Sequence, residues 1–85
     1  MNYNVRLTSE QLKQLRIIKG ISVRKFGRSV DLSAAYISLM ENGKRTIPPK
    51  VENVIRKEYG LTDRELMKLA YLTDAIEKVG EANEA

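Results

Sequence analysis

The sequence predicts an all-α fold, five helices packed as one compact domain, and three observations lead to it. Helix-start patterns recur at Thr8-Ser9-Glu10-Gln11, Ser22, Ser33 and Thr62-Asp63-Arg64-Glu65, each ahead of apolar residues at helical spacing. Stop signals sit at the matching distances: Gly20, the pair Asn42-Gly43, and Gly60. The 85 residues include no cysteine, no internal repeat and no linker long enough to divide the chain into separate domains. One small core is therefore expected, with a membrane span and a secretory signal both expected to be absent.

The first helix starts near Ser9, where Thr8 and Gln11 have capping-box spacing and Leu7 and Leu12 are placed as a hydrophobic staple. Its apolar stripe is Leu12, Leu15 and Ile18. Ser22 can cap a second, short helix that turns Val23, Phe26, Gly27 and Val30 inward and Arg24, Lys25 and Arg28 outward. The break Asp31-Leu32-Ser33 leads into a third helix, with Ser33 at its start, Ile37 and Met40 inward, and Tyr36, Ser38 and Leu39 on other faces. Pro48-Pro49 forces an extended approach to a fourth helix beginning close to Lys50, with Val51, Val54 and Ile55 inward. The second capping box opens a fifth helix over about 63–79, followed by a frayed polar tail at 80–85.

Composition narrows the chemistry. Without histidine or cysteine the chain has no thiolate nucleophile, no usual zinc ligand and no common general base near neutral pH. No paired carboxylates, phosphate loop or nucleophile arrangement is visible, so neither an enzyme nor a cofactor is expected, and no small-molecule ligand is evident. Charge is uneven: residues 1–57 carry twelve Lys/Arg against four acidic residues, whereas residues 58–85 carry three against seven. The first two-thirds of the chain is suited to an anion, although a basic half can also be a solvated surface.

The spacing around residues 22–41 separates these readings. A three-residue connection between the second and third helices is that of a helix-turn-helix unit, which holds two helices at a steep angle and leaves one face of the third exposed. Gly27 falls where the second helix presses closest on the third, and packing justifies a residue that costs about 1 kcal/mol in a helix interior. The segment LKQLRIIKGISVRKFGRSVDLSAAYISLMENGKR resembles the Cro/repressor-type, XRE-like helix-turn-helix family that includes the lambda-type repressors. The likeness covers about Leu12 to Leu61, and ENGKR falls at the family's spacing without a gap.

That resemblance implies a lambda-repressor-like domain whose third helix lies in the DNA major groove. It places Ser33, Ala34, Ala35, Ser38 and Leu39 at or near base edges and Tyr36 against the phosphate backbone. It also implies a mostly buried ion pair between Arg16 and Glu41, a scaffold feature joining the first helix to the end of the third. Beyond the third helix, Asn42-Gly43 can carry Lys44 and Arg45 to the groove edge where phosphates run. Helix starts at Ser22 and Ser33 can offer N–H donors to phosphate, with Arg24, Lys25 and Arg28 adding charge nearby.

The sequence departs from the family at three places. Val23 stands where the family often has a phosphate-binding Gln or Thr, Asp31 stands in the turn position usually held by Gly, and the groove-facing set lacks Arg, Lys, Asn and Gln. Direct readout is then left to serine hydroxyls and to contact of Ala34, Ala35 or Leu39 with thymine methyls, helped by DNA shape.

Plainer readings exist for several of these residues. Tyr36 taken alone is an ordinary half-buried aromatic, at least one of Arg24, Lys25 and Arg28 is expected to be only a solvating charge, and Lys50, Arg56 and Lys57 read as surface. Apolar residues on more than one face of the fifth helix suggest a homodimer with Leu69, Leu72, Ile76 and Val79 nearest the axis, against the alternative of a wide helix covering a monomer's core. The expectation is a cytoplasmic, dimeric repressor of phage or mobile-element type that binds a palindromic operator in double-stranded DNA. The alternative is an antitoxin-like module that neutralises a protein partner and uses DNA for autoregulation.

Overall fold

A computed structural model describes residues 6–69. Among them are five helices and no strand: α1 (Ser9–Lys19), α2 (Val23–Ser29), α3 (Ala34–Glu41), α4 (Pro49–Tyr59) and α5, described over 63–69. The expected continuation of α5 to about residue 79 and the tail at 80–85 lie outside the described residues. No described helix is long and apolar enough to cross a membrane.

The start of α1 is set by a reciprocal cap. Gln11 N donates to Thr8 Oγ1 at 3.2 Å, and Thr8 N donates to Gln11 Oε1 at 2.9 Å. The amide of the buried Gln11 side chain has a second task, donating from Nε2 to the carbonyl of Leu66 at 3.0 Å. A residue recruited locally as a cap thus ties α1 to α5. Ser22 and Ser33 cap α2 and α3 by accepting from Lys25 N and Tyr36 N, and Thr62 Oγ1 accepts from Glu65 N at the start of α5.

The core is built from Leu7, Leu12, Leu15, Phe26, Val30, Ile37, Met40, Ile47, Ile55, Leu66 and Leu69. Leu12, Phe26, Ile37, Met40, Ile55 and Leu66 are fully buried, each contributing about 1.5–3 kcal/mol relative to an exposed position. Phe26 stacks parallel to the Tyr59 ring with centroids 5.1 Å apart, and the Tyr59 hydroxyl is hydrogen-bonded to Ser29 Oγ, which seats the end of α4 on α2.

Several side chains fall elsewhere than helical spacing suggested. Ile18 is 56% exposed and Val54 45% exposed, whereas their helix neighbours Leu15 and Ile55 meet the core. Leu69, expected nearest a dimer axis, is only 7% exposed and is held in the chain's own core. Leu72, Ile76 and Val79 lie outside the described residues.

Arg56 is not the simple surface charge its position suggested. Its Nε donates to Glu52 Oε2 at 3.0 Å and its Nη1 to Asp63 Oδ1 at 2.7 Å. Glu52 is buried and accepts from Arg6 Nε at 2.8 Å on its other oxygen, while Arg6 Nη2 reaches the Ile47 carbonyl at 3.0 Å. This chain of charges joins the segment before α1, the loop before α4, α4 and α5. The hydrogen bond to Asp63 raises the Arg56 pKa above its ordinary value, opposed by burial and supported by Glu52.

Candidate nucleic-acid interface

The geometry of α2 and α3 is fixed at their connection. Gly27 carries no Cβ, and one built there would lie 2.5 Å from the carbonyl oxygen of Leu32 and 3.4 Å from the Ser33 carbonyl carbon. The close approach is therefore to the turn itself and not to the body of α3. The Gly27 carbonyl accepts from Leu32 N at 2.8 Å and from Val30 N at 3.2 Å, so the same residue that admits the turn also anchors it. Asp31 completes the reversal with φ 61.

Packing then decides which way α3 faces. Ile37 and Met40 are fully buried and Glu41 is buried beside them. At 100° per residue this leaves Ala35 and Leu39 at the centre of the outward face, both exposed, with half-buried Ala34 and Ser38 along one margin and half-buried Tyr36 along the other. Ser33 is exposed at the end of the helix, its Oγ accepting from Tyr36 N at 3.1 Å and its hydroxyl proton left for an outside acceptor. Ser22 is arranged in the same way at the start of α2, accepting from Lys25 N at 3.0 Å. Ser38 is more committed, because Asn42 Nδ2 contacts its Oγ at 3.4 Å.

A pair joining α1 to the end of α3 holds this face in place. Arg16 Nε donates to Glu41 Oε2 at 2.7 Å and Arg16 Nη2 to Glu41 Oε1 at 3.1 Å, a two-pronged contact, while Arg16 Nη1 donates to the Ile21 carbonyl at 3.1 Å. The Glu41 side chain is 5% exposed and that of Arg16 18%. The hydrogen bond to Glu41 raises the Arg16 pKa above its ordinary value, burial lowers it, and the carboxylate's charge raises it further. Neither group faces outward.

The turn after α3 wraps back on that helix. Gly43 takes φ 71, and the Leu39 carbonyl accepts from both Lys44 N at 2.9 Å and Arg45 N at 3.2 Å. Both basic side chains emerge exposed beside the end of α3. The Arg45 guanidinium lies 5.3 Å from the centre of the Tyr36 ring, a cation–π contact that orders the cation along one margin of the outward face. This pairing across nine residues had no local signal in the sequence; only the turn brings the two together. On α2, Arg24, Lys25 and Arg28 share the solvent face. None of these five cations makes an ion pair among the described residues, whereas Arg6, Arg16 and Arg56 are all engaged by carboxylates.

The family model described as a helix-turn-helix domain matches residues 9–69, well over half of the chain. The chain belongs to the helix-turn-helix domain family. Comparisons with curated proteins and with solved structures gave no match. Membership accounts for the architecture, since the match runs from the first residue of α1 to the last described residue of α5 and includes every element that positions α3. The helix-turn-helix domain is a DNA-binding type, and a DNA-binding regulator is the class to which this chain is assigned. Among the described residues no group of three or more Asp, Glu, His or Cys could hold a metal ion.

Proposed function

We propose that this chain is a sequence-specific transcriptional regulator, a repressor of phage or mobile-element type that occupies a palindromic operator as a homodimer. The observation that carries the reading is the outward face of α3. Eight residues span about 12 Å, a length suited to a major groove about 12 Å wide. Ser33, Ala34, Ala35, Ser38 and Leu39 are the base-facing set, and Ser22, Arg24, Lys25, Arg28, Tyr36, Lys44 and Arg45 the phosphate-facing set. Serine hydroxyls can donate or accept at base edges, and Ala35 and Leu39 suit thymine methyls. With so few base-reading groups, cations contribute most of the affinity and DNA shape shares in the selectivity.

A second reading, an antitoxin-like module that binds a protein partner, draws on a different surface. Ile17, Ile18 and Met67 stand exposed, and Ile18 lines an open groove with Leu15, Leu61 and Leu69 that shares no residue with α2 or α3. A duplex-binding titration against salt, run beside gel filtration, distinguishes the readings. A regulator elutes as a dimer and loses affinity steeply with salt, about a unit of slope for each phosphate neutralised. A protein that is monomeric and indifferent to duplexes at low salt defeats the first reading.

A further inference from the structure

We propose that Asp31 is an electrostatic brake on duplex binding: its carboxylate lowers affinity for any DNA brought against α3, without choosing among sequences. The inference rests on the DNA-binding reading of α3 and deepens it. Four described residues have positive φ, and three are the glycines Gly20, Gly43 and Gly60; Asp31 is the exception. An L-residue pays a steric cost in this region that glycine escapes, although aspartate and asparagine tolerate it better than most.

The carboxylate gains nothing local in return. The Asp31 side chain is exposed and makes no hydrogen bond or ion pair among the described residues, even though Asp31 N donates to the carbonyl of Arg28 at 3.3 Å. Asp31 directly follows Val30, the C-cap of α2, where the negative end of the helix dipole disfavours a negative charge. The backbone there is pinned by Gly27, whose carbonyl holds Leu32 N, so the turn does not need a carboxylate to form. Glycine would meet the steric demand better, and asparagine would meet it equally well without charge.

What the charge does is oppose phosphate. Asp31 lies two residues before Ser33, at the N-terminal end of α3, and its N–H is bonded to the carbonyl of Arg28, one of the exposed cations Arg24, Lys25 and Arg28 of α2. A duplex that engages those cations brings its phosphates within about one Debye length of the carboxylate, roughly 8 Å at physiological salt, where repulsion persists but weakens as salt rises. The repulsion is blind to bases, so it reduces occupancy of unrelated DNA and hastens release without altering preference.

The test compares wild type, Asp31→Asn and Asp31→Gly by fluorescence anisotropy, on a duplex selected from a random pool and on an unrelated duplex. Asp31→Asn keeps the backbone preference and removes the charge. It is expected to bind both duplexes about three- to tenfold more tightly at about 50 mM salt, with the gain shrinking at about 200 mM. Asp31→Gly gives the same gain and additionally melts at a higher temperature. Unchanged affinity for Asp31→Asn, or a gain confined to one duplex, overturns the proposal while leaving DNA binding intact. Wild type that binds neither duplex overturns the DNA-binding reading itself, and the brake with it.

Discussion

Removing the Glu41 carboxylate tests the claim that the outward face of α3 is held by an internal charge pair. Glu41→Ala strands a guanidinium that now directs two donors at Glu41 and one at the Ile21 carbonyl. Breaking a buried pair costs about 3–5 kcal/mol. Arg16 retains some access to water and its Ile21 contact, so the lower end applies, about 3 kcal/mol. For a domain of this size that corresponds to a fall in melting temperature of roughly 12–24 °C. Arg16→Met, which fills the space without charge but strands Glu41, is expected to cost a similar amount. The double variant should cost clearly less than the two losses added together.

The pH sign follows from the raised Arg16 pKa. The arginine's stabilising share is complete below its ordinary unfolded value and is lost only as pH rises through the still higher folded value, far above neutrality, so the Glu41→Ala penalty should be equal at about pH 7 and pH 9. Thermal and urea unfolding followed by circular dichroism measures all of this. A Glu41→Ala penalty below about 1 kcal/mol, or strict additivity of the two losses, would refute the reasoning.

Three further outcomes are expected. Arg45→Ala should weaken binding to related and unrelated DNA alike and lower the salt slope by about one unit, and Tyr36→Leu should reproduce some of that loss while Tyr36→Phe, which keeps the ring under Arg45, should not; an unchanged slope for Arg45→Ala counts against phosphate contact. Leu39→Ala should change base preference in a selection from random duplexes while stability moves by less than about 1 kcal/mol, because the side chain is 40% exposed; an unfolded variant would place Leu39 in the core instead. Gly27→Ala should lower the urea midpoint despite alanine's helix preference of about 1 kcal/mol, since the added Cβ meets the Leu32 backbone oxygen at 2.5 Å; an unchanged or higher midpoint would mean the turn yields easily.

Local rules were enough to read the helix starts, the stops and most of the core from the sequence. Thr8, Ser22, Ser33 and Thr62 cap through neighbours three residues away, and Gly20 and Gly60 end helices by their own φ; such interactions are closed within a few residues and leave their mark in a short window of sequence. The inward set Phe26, Val30, Ile37 and Met40 follows from spacing for the same reason. Tertiary structure decided what depends on contact between distant segments. It brought Arg45 onto Tyr36, joined Gln11 to Leu66 and Arg56 to Glu52 and Asp63, left Ile18 and Val54 outside, and drew Leu69 inward. Periodicity names the side of a helix on which apolar residues gather. Which residue at the margin of that side is covered, and which cation is paired, depends on where the neighbouring helices come to rest.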